Sequence, residues 1–393
     1  MDDAMRPSEV AFGRDARRFW LLEEGVHFLN HGSFGATPRA VLQAQDRWRQ
    51  RMERNPGRFF IRELEEELRA AANGLAGFVG AAPGSVVFVE NATAAVNTIL
   101  SSVRFQSGDE ILLSRFSYPG VHNAVTRCAL AQGLKPTFAC VPWPLMSEEQ
   151  AVAAFAERLS PRTRLVIVEH VSSLLAVVMP IAAIASLCRA RGIPVLVDGA
   201  HAPGMVPLDL DALDVDWYVG SCHKWLWAPK GCGFMYAAPR ARKGLHPLIV
   251  SNKWPAGFPD EFAWTGTRDP SAWLCVTAAL GFHHWLGADR AQAYCNQLII
   301  AATRRLAESW KVDPLVPEQM LAAMSVVCVP LRAPPTSILA RHLGDILWYE
   351  HRIDVPLFLQ GDRLWIRLSG QVYNELDDYL VLARAVPAVL AQH

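Results

Sequence analysis

Residues 194–201 read Pro-Val-Leu-Val-Asp-Gly-Ala-His. Val195, Leu196 and Val197 form a short, wholly apolar run, the mark of a strand covered on both faces. Asp198 closes the run. In an open α/β sheet, ligands gather at the carboxyl ends of the strands, so this acid stands where a ligand would be met. Its ordinary reading is a helix cap or a surface acid.

The same pattern recurs on either side. Val86–Val89, 110–113 and 165–168 are further buried strands, and 217–219 and 233–236 add two more. Helices are expected over 39–52 and 61–79, with a break at Asn55-Pro56-Gly57. After about Asp269 the pattern changes. Long helices over 271–285 and 291–310 lead to a strand near 325–329, another at 364–368, and a final helix from Asn374. The pattern predicts an α/β fold with a large unit, 30–270, around a mostly parallel central sheet. A smaller α+β unit combines 1–29 with 271–393.

The chain has 393 residues, more than one ordinary core accommodates. It is 51% hydrophobic and 19% charged, the balance of a soluble globular protein. Lys plus Arg and Asp plus Glu both number 38, so no basic excess points to nucleic acid or an anionic membrane. Residues 171–188 are apolar and long, but Pro180 divides them and Ser172, Ser173 and Ser186 interrupt them. They predict a loop and then a buried helix from near Ile181. Residues 1–24 mix acids and bases with no apolar core, so no signal peptide is expected. The eight cysteines form no CxxC pair, which suggests reduced, mostly buried thiols and a cytoplasmic protein.

Downstream of Asp198 lies Ser221-Cys222-His223-Lys224-Trp225. Lys224 supplies an amine able to form a Schiff base, and Asp198 a carboxylate able to keep a pyridine ring protonated. That pair is the minimum for pyridoxal 5'-phosphate chemistry. Glu90-Asn91-Ala92-Thr93-Ala94 follows a strand and opens a helix, where small residues, a hydroxyl and the helix dipole suit an anion. Thr265-Gly266-Thr267-Arg268 is a second small, hydroxyl-rich turn. Ser221 and His223 could reach a phosphate, and His201 a ring hydroxyl. Arg367, on the strand 364–368, could grip a substrate carboxylate through two parallel hydrogen bonds. Taken singly, each has an ordinary reading as a cap, a loop, a structural histidine or a surface charge. Order and spacing make them a set. No Walker loop, GxGxxG or HExxH occurs. His122, His170, His201 and Cys222 lack metal-ligand spacing, so no metal is expected.

The chain resembles the class V aminotransferase superfamily, and within it the isopenicillin N epimerase-like branch. The resemblance runs nearly end to end. It rests on 29–39 (Leu-Asn-His-Gly-Ser-Phe-Gly-Ala-Thr-Pro-Arg), 91–97, 197–204, Cys222-His223-Lys224-Trp225-Leu226, Gly266-Thr267-Arg268-Asp269 and Ile366-Arg367-Leu368-Ser369. It implies the pyridoxal-phosphate transferase fold type I, with Lys224 as the Schiff-base lysine and Asp198 on the pyridine nitrogen. Thr93 and the Ala92 and Thr93 backbone would cradle the phosphate, helped by Ser221 and His223. Tyr118, Ser173 and His201 would complete the cofactor's surroundings. Gly266 and Thr267 would come from the other subunit of a homodimer with shared sites. Arg367 would hold the substrate α-carboxylate, and Asn30, His31 and Gly32 would line the substrate pocket.

One stretch departs from the resemblance. Relatives read Asp-His-x-Thr/Ser-Ser-Pro-Thr-Gly where this chain has Glu169-His170-Val171-Ser172-Ser173-Leu174-Leu175-Ala176. The implied activity is an amino-acid epimerase or racemase acting at the α-carbon. The alternatives are a C–S lyase of cysteine conjugates, a transaminase, and a catalytically silent binding protein. A cysteine desulfurase fits less well, because 351–364 contains no cysteine and Cys328 sits in an apparent strand.

Overall fold

The computed structural model describes residues 10–331 and 334–391. Its central sheet has seven strands: β1 (Val86–Val89), β2 (Glu110–Ser114), β3 (Lys135–Ala139), β4 (Thr163–Glu169), β5 (Val195–Gly199), β6 (Trp217–Ser221) and β7 (Gly233–Ala237). They lie in the order β1-β7-β6-β5-β4-β2-β3. The pairs from β6 to β3 are parallel, while β7 is antiparallel to both β1 and β6.

Side chains alternate between the two faces of a strand, and the two cores show that alternation residue by residue. Val86, Phe88, Leu112, Val166, Val168, Val195, Val197 and Tyr218 join one buried cluster, packed with Leu75, Ile184 and Phe282 from helices. Val87, Val89, Ile111, Leu113, Leu165, Ile167, Leu196 and Val219 join the other, with Val96, Ile99, Val121 and Val125. Each buried aliphatic side chain stabilises the fold by roughly 1.5–3 kcal/mol, so a one-residue slip of any strand would be costly.

A second sheet, β8 (Met324–Cys328), β9 (Leu357–Gln360) and β10 (Arg363–Ser369), is antiparallel in the order β9-β10-β8. Its cluster includes Ile299, Leu306, Leu347, Ile366 and Val386, and also Leu29 from the N-terminal segment. That segment is tied in by parallel pairing of His27–Phe28 with Ile353–Asp354.

Several elements differ from the sequence expectation. β3 is an edge strand, partly exposed and beginning Lys135-Pro136-Thr137, so it has no apolar run to betray it. The break expected at Asn55-Pro56-Gly57 is there but is confined to Asn55, whose side chain accepts from the Arg58 N–H at 3.0 Å and caps a helical turn that begins at Pro56. The helix expected over 271–285 divides at Cys275 into Ser271–Leu274 and Val276–Leu286. The helix Ser337–Tyr349 and strand β9 were not anticipated. The helix Ile181–Arg189 starts where Pro180 predicted. No helix among the described residues is long and apolar enough to cross a membrane.

Candidate active site

The carboxyl ends of five central strands open onto one cavity of about 720 Å³. Ala92 and Thr93 follow β1, Tyr118 follows β2, and Ser173 follows β4. Asp198 and His201 come from β5 and its turn, and Ser221, His223 and Lys224 from β6 and the loop after it. Gly32 and Arg367 reach the same space from outside the central sheet. These residues span more than 300 positions of sequence, and the parallel register brings them together. Asp198 and Glu169 are direct register partners on β5 and β4.

The helix Ala92–Ser102 points its N-terminus at the cavity wall. Asn91 caps it by accepting from the Ala94 N–H at 2.9 Å. The preceding residues, Ala92 and Thr93, line the cavity, at the end of a helix dipole that favours an anion.

The electrostatics make the free amine far more available than in an ordinary lysine. Burial first, and then the nearby Arg367 charge, bring the Lys224 pKa down to about 8 against the opposing pull of Asp198 and Glu169. Burial raises Asp198, while the Ala200 N–H, donating at 3.0 Å, and Lys224 hold it down. Glu169 is pushed to about 8 by burial and by the charge of Asp198. Its Oε1 accepts from the backbone N–H groups of Tyr118 at 3.2 Å and Ser173 at 3.3 Å.

Arg367 donates through Nη1 to the Ser173 carbonyl and through Nη2 to Ser33 Oγ, both at 2.8 Å. Its Nε is buried with no partner among the described residues, and burial lowers its pKa to about 10. A buried guanidinium N–H without an acceptor is a ready partner for a carboxylate. His223 Nδ1 lies 2.8 Å from the Cys232 carbonyl, so that nitrogen carries the proton. Burial lowers its pKa to about 4. The neutral ring therefore offers Nε2 only as an acceptor, and His223 donates to a phosphate only as the imidazolium.

Two expected pocket residues lie elsewhere. Asn30 donates to the Asp354 carboxylate at 3.0 Å. His31 is fully buried, with Nδ1 2.6 Å from the Tyr373 hydroxyl and Nε2 3.1 Å from the Lys224 carbonyl. The short helix His31–Phe34 turns His31 inward and gives the cavity Gly32, Ser33 and Phe34 instead. His31 thus supports the lysine from behind. Gly266 and Thr267 do not line this chain's cavity, and Thr267 is exposed.

Three residues escaped the sequence reading. Ser33 and Trp225 sit inside quoted motifs, unremarked beside their neighbours. Glu169 appears only as the first residue of the departing stretch, with no role assigned to it. The departing stretch reaches the cavity through Leu174. Ala176 has a left-handed backbone, φ 56°, at the position where the resemblance implies glycine. That backbone suits glycine better than a residue with a Cβ.

Gly35 marks a seam between the N-terminal segment and the lysine loop. Its φ is +56°, and a Cβ there would lie 2.3 Å from the His223 carbonyl oxygen and 2.8 Å from Lys224 Cα. The two backbones touch directly.

The fold and this site define a pyridoxal 5'-phosphate-dependent enzyme of fold type I. The donors present fit that cofactor: a buried amine, an acid at a strand end, an anion-favouring helix terminus and an incompletely satisfied arginine. A family model described as aminotransferase class-V matches residues 28–345, and the chain belongs to that family. It is 36% identical over 391 residues to an isopenicillin N epimerase of Amycolatopsis lactamdurans, covering 95% of this chain and 97% of that one. It is 29% identical over 427 residues to a putative L-cysteine desulfhydrase 1 of Oryza sativa subsp. japonica, covering 99% and 88%. Among solved structures it is similar to the cystine C–S lyase C-DES bound to its product cysteine persulfide. There the TM-score is 0.77 and the identity 25%, over 92% of this chain and 97% of that one.

Proposed function

We propose that this chain moves a proton at the α-carbon of an amino acid in the manner of an isopenicillin N epimerase-like enzyme. The observation that carries the reading is the convergence of Lys224, Asp198 and Arg367 on one cavity. Pyridoxal 5'-phosphate, when bound, supplies an aldehyde for the substrate amine and a protonated ring that acidifies the α-carbon. Asp198 would hold the ring nitrogen's proton. Ala92, Thr93 and Ser221 would hold the phosphate, joined by protonated His223. Tyr118 and Ser173 would bound the ring. Arg367 would take the substrate carboxylate through its unpartnered Nε, with Ser33 and the Ser173 carbonyl fixing the plane of the guanidinium. Lys224, its pKa lowered to about 8, takes and returns the α-proton as a general base.

Similarity over nearly the whole chain to the Amycolatopsis epimerase supports inversion as the outcome. The likeness to a cystine C–S lyase and a cysteine desulfhydrase supports β-elimination as the second reading, with the same residues in the same roles. The division into 30–270 and 1–29 with 271–393 belongs to this proposal. It is supported by the separate cluster under the second sheet and by Leu29's place in that cluster.

A homodimer with shared sites is also part of the reading. Phe34 is 70% exposed at the cavity mouth, and Leu248, Ile249, Val250 and Trp254 are exposed in a single segment. A second copy covering such a surface would also bring Gly266 and Thr267 to its neighbour's phosphate site.

A panel of L- and D-amino acids and cysteine conjugates, incubated in D₂O, tests the reading. α-Deuteration with inversion supports the epimerase. Pyruvate release replaces it with the lyase. A protein that takes up no cofactor, and leaves no borohydride-trapped adduct on Lys224, overturns both.

A further inference from the structure

An imidazole has two ring nitrogens, and both nitrogens of His201 have a neighbour. Nδ1 lies 3.3 Å from Trp225 Nε1, and Nε2 lies 3.1 Å from Lys224 Nζ. An indole N–H only donates. Nδ1 must therefore present its lone pair, and the single proton of the neutral ring must sit on Nε2. A lysine ammonium also only donates, and would set a second N–H against that proton. The row is satisfied in one way: Trp225 donates to His201, and His201 donates to the lone pair of an uncharged Lys224 amine.

We propose that Trp225 is a positioning residue that fixes the Nε2–H tautomer of His201 and, through it, stabilises the free-amine form of Lys224. The proposal rests on the reading of Lys224 as the Schiff-base lysine, since only an uncharged amine condenses with an aldehyde.

The surroundings hold this row rigid. Trp225 is 2% exposed, and its ring centroid lies 4.9 Å from that of His31. Its carbonyl lies 3.0 Å from His283 Nε2. Gly204, at the end of the turn carrying His201, has φ +86°, and a Cβ there would lie 2.4 Å from the Trp225 carbonyl oxygen. The two segments meet backbone to backbone, which fixes the Trp225 main chain relative to the turn carrying His201. Burial, and then the charges of Lys224 and Arg367, also keep His201 neutral. Around Lys224, Asp198 and Glu169 favour the ammonium, while burial and Arg367 oppose it. The His201 N–H adds to the second side.

The test uses the full-length chain without cofactor, labelled with ¹⁵N-histidine. Long-range ¹H–¹⁵N spectra should show His201 protonated on Nε2 and unprotonated on Nδ1 at neutral pH. In Trp225→Phe, the Nδ1–H form should appear. The apparent pKa of Lys224, read from the pH dependence of its acylation by mass spectrometry, should then rise by about one unit, a tenfold loss of free amine near neutrality. A wild-type His201 protonated on Nδ1, or on both nitrogens, overturns the proposal. So does an unchanged Lys224 pKa in a folded Trp225→Phe protein. If that variant fails to fold, the wild-type spectrum alone decides. A wild-type protein with the Nε2–H tautomer that never takes up pyridoxal 5'-phosphate would defeat the cofactor reading and leave the tautomer assignment standing.

Discussion

The cavity has two unlike walls. The inner wall is built from the ends of β4, β5 and β6, where Glu169, Asp198 and Ser221 sit in paired strands and His201 in the turn after β5, all nearly or fully buried. The outer rim comes from the N-terminal segment, the turns after β1 and β2, and β9 and β10. There Phe34, Thr93 and Tyr118 are exposed. The inner wall fixes protonation states by excluding water. The rim is open to solvent at these residues. The contrast assigns shared chemistry to the inner wall and substrate choice to the rim.

The sharpest way to break this contrast is at the inner wall. Lys224→Ala should lower turnover by at least about 10³-fold, the scale of a lost nucleophile and general base. It should also eliminate the borohydride-trapped adduct in peptide mass spectra. Activity surviving within tenfold would move the chemistry elsewhere.

At the rim, the shared-site reading can be sharpened by mixing. Thr267→Glu would set a carboxylate against the cofactor phosphate. Lys224→Ala and Thr267→Glu chains, each inactive alone, should recover about a quarter of wild-type activity when reassociated one to one. No recovery on mixing would make each chain's cavity self-sufficient.

Arg367→Ala should weaken α-amino-acid binding by ~1.5–3 kcal/mol, the scale of a hydrogen bond to a charged group. Spectral titration of the loaded protein reads this directly, and an unchanged dissociation constant would remove Arg367 from the rim's function.

Gly35→Ala probes the seam between the walls. A methyl group forced against the His223 carbonyl, on a left-handed backbone, should cost about 2 kcal/mol or more. Denaturant midpoints measure it.

The smallest effect per step is in acid. His31 has its pKa lowered to about 3, and His170, His223 and His283 to about 4, each chiefly by burial. Their stabilising contribution is complete above the unfolded value of 6.5 and is lost as pH falls towards the folded values. Each titrating histidine contributes roughly 1.4 kcal/mol per pH unit in that window. Glu169 runs the other way: its contribution is complete below 4.5 and lost as pH rises through about 8. Calorimetry from pH 4 to 9 should show both limbs, and Glu169→Gln should flatten the alkaline one.

The inner wall was largely legible in the sequence, because its residues end apolar runs. Asp198 follows Val195–Val197 and Lys224 follows Trp217–Val219, so strand periodicity alone placed them near a ligand. The rim was less legible. Ser33's hold on Arg367 and His31's turn behind Lys224 depend on how a four-residue helix packs against a strand more than 300 residues away, which no local pattern encodes. β3 and β9 were missed because half-exposed strands lack a continuous apolar run. The antiparallel placement of β7 was equally hidden, since a buried strand reads the same in either direction.

That placement has a mechanical consequence. The segment from Cys222 to Cys232 crosses between neighbouring, fully buried strands with no intervening helix to act as a spring. Lys224 is thus clamped at both ends of its loop. Whatever travel the amine makes between cofactor and substrate is confined to its own four methylenes, and amide deuterium uptake across 222–232 should be among the slowest in the chain.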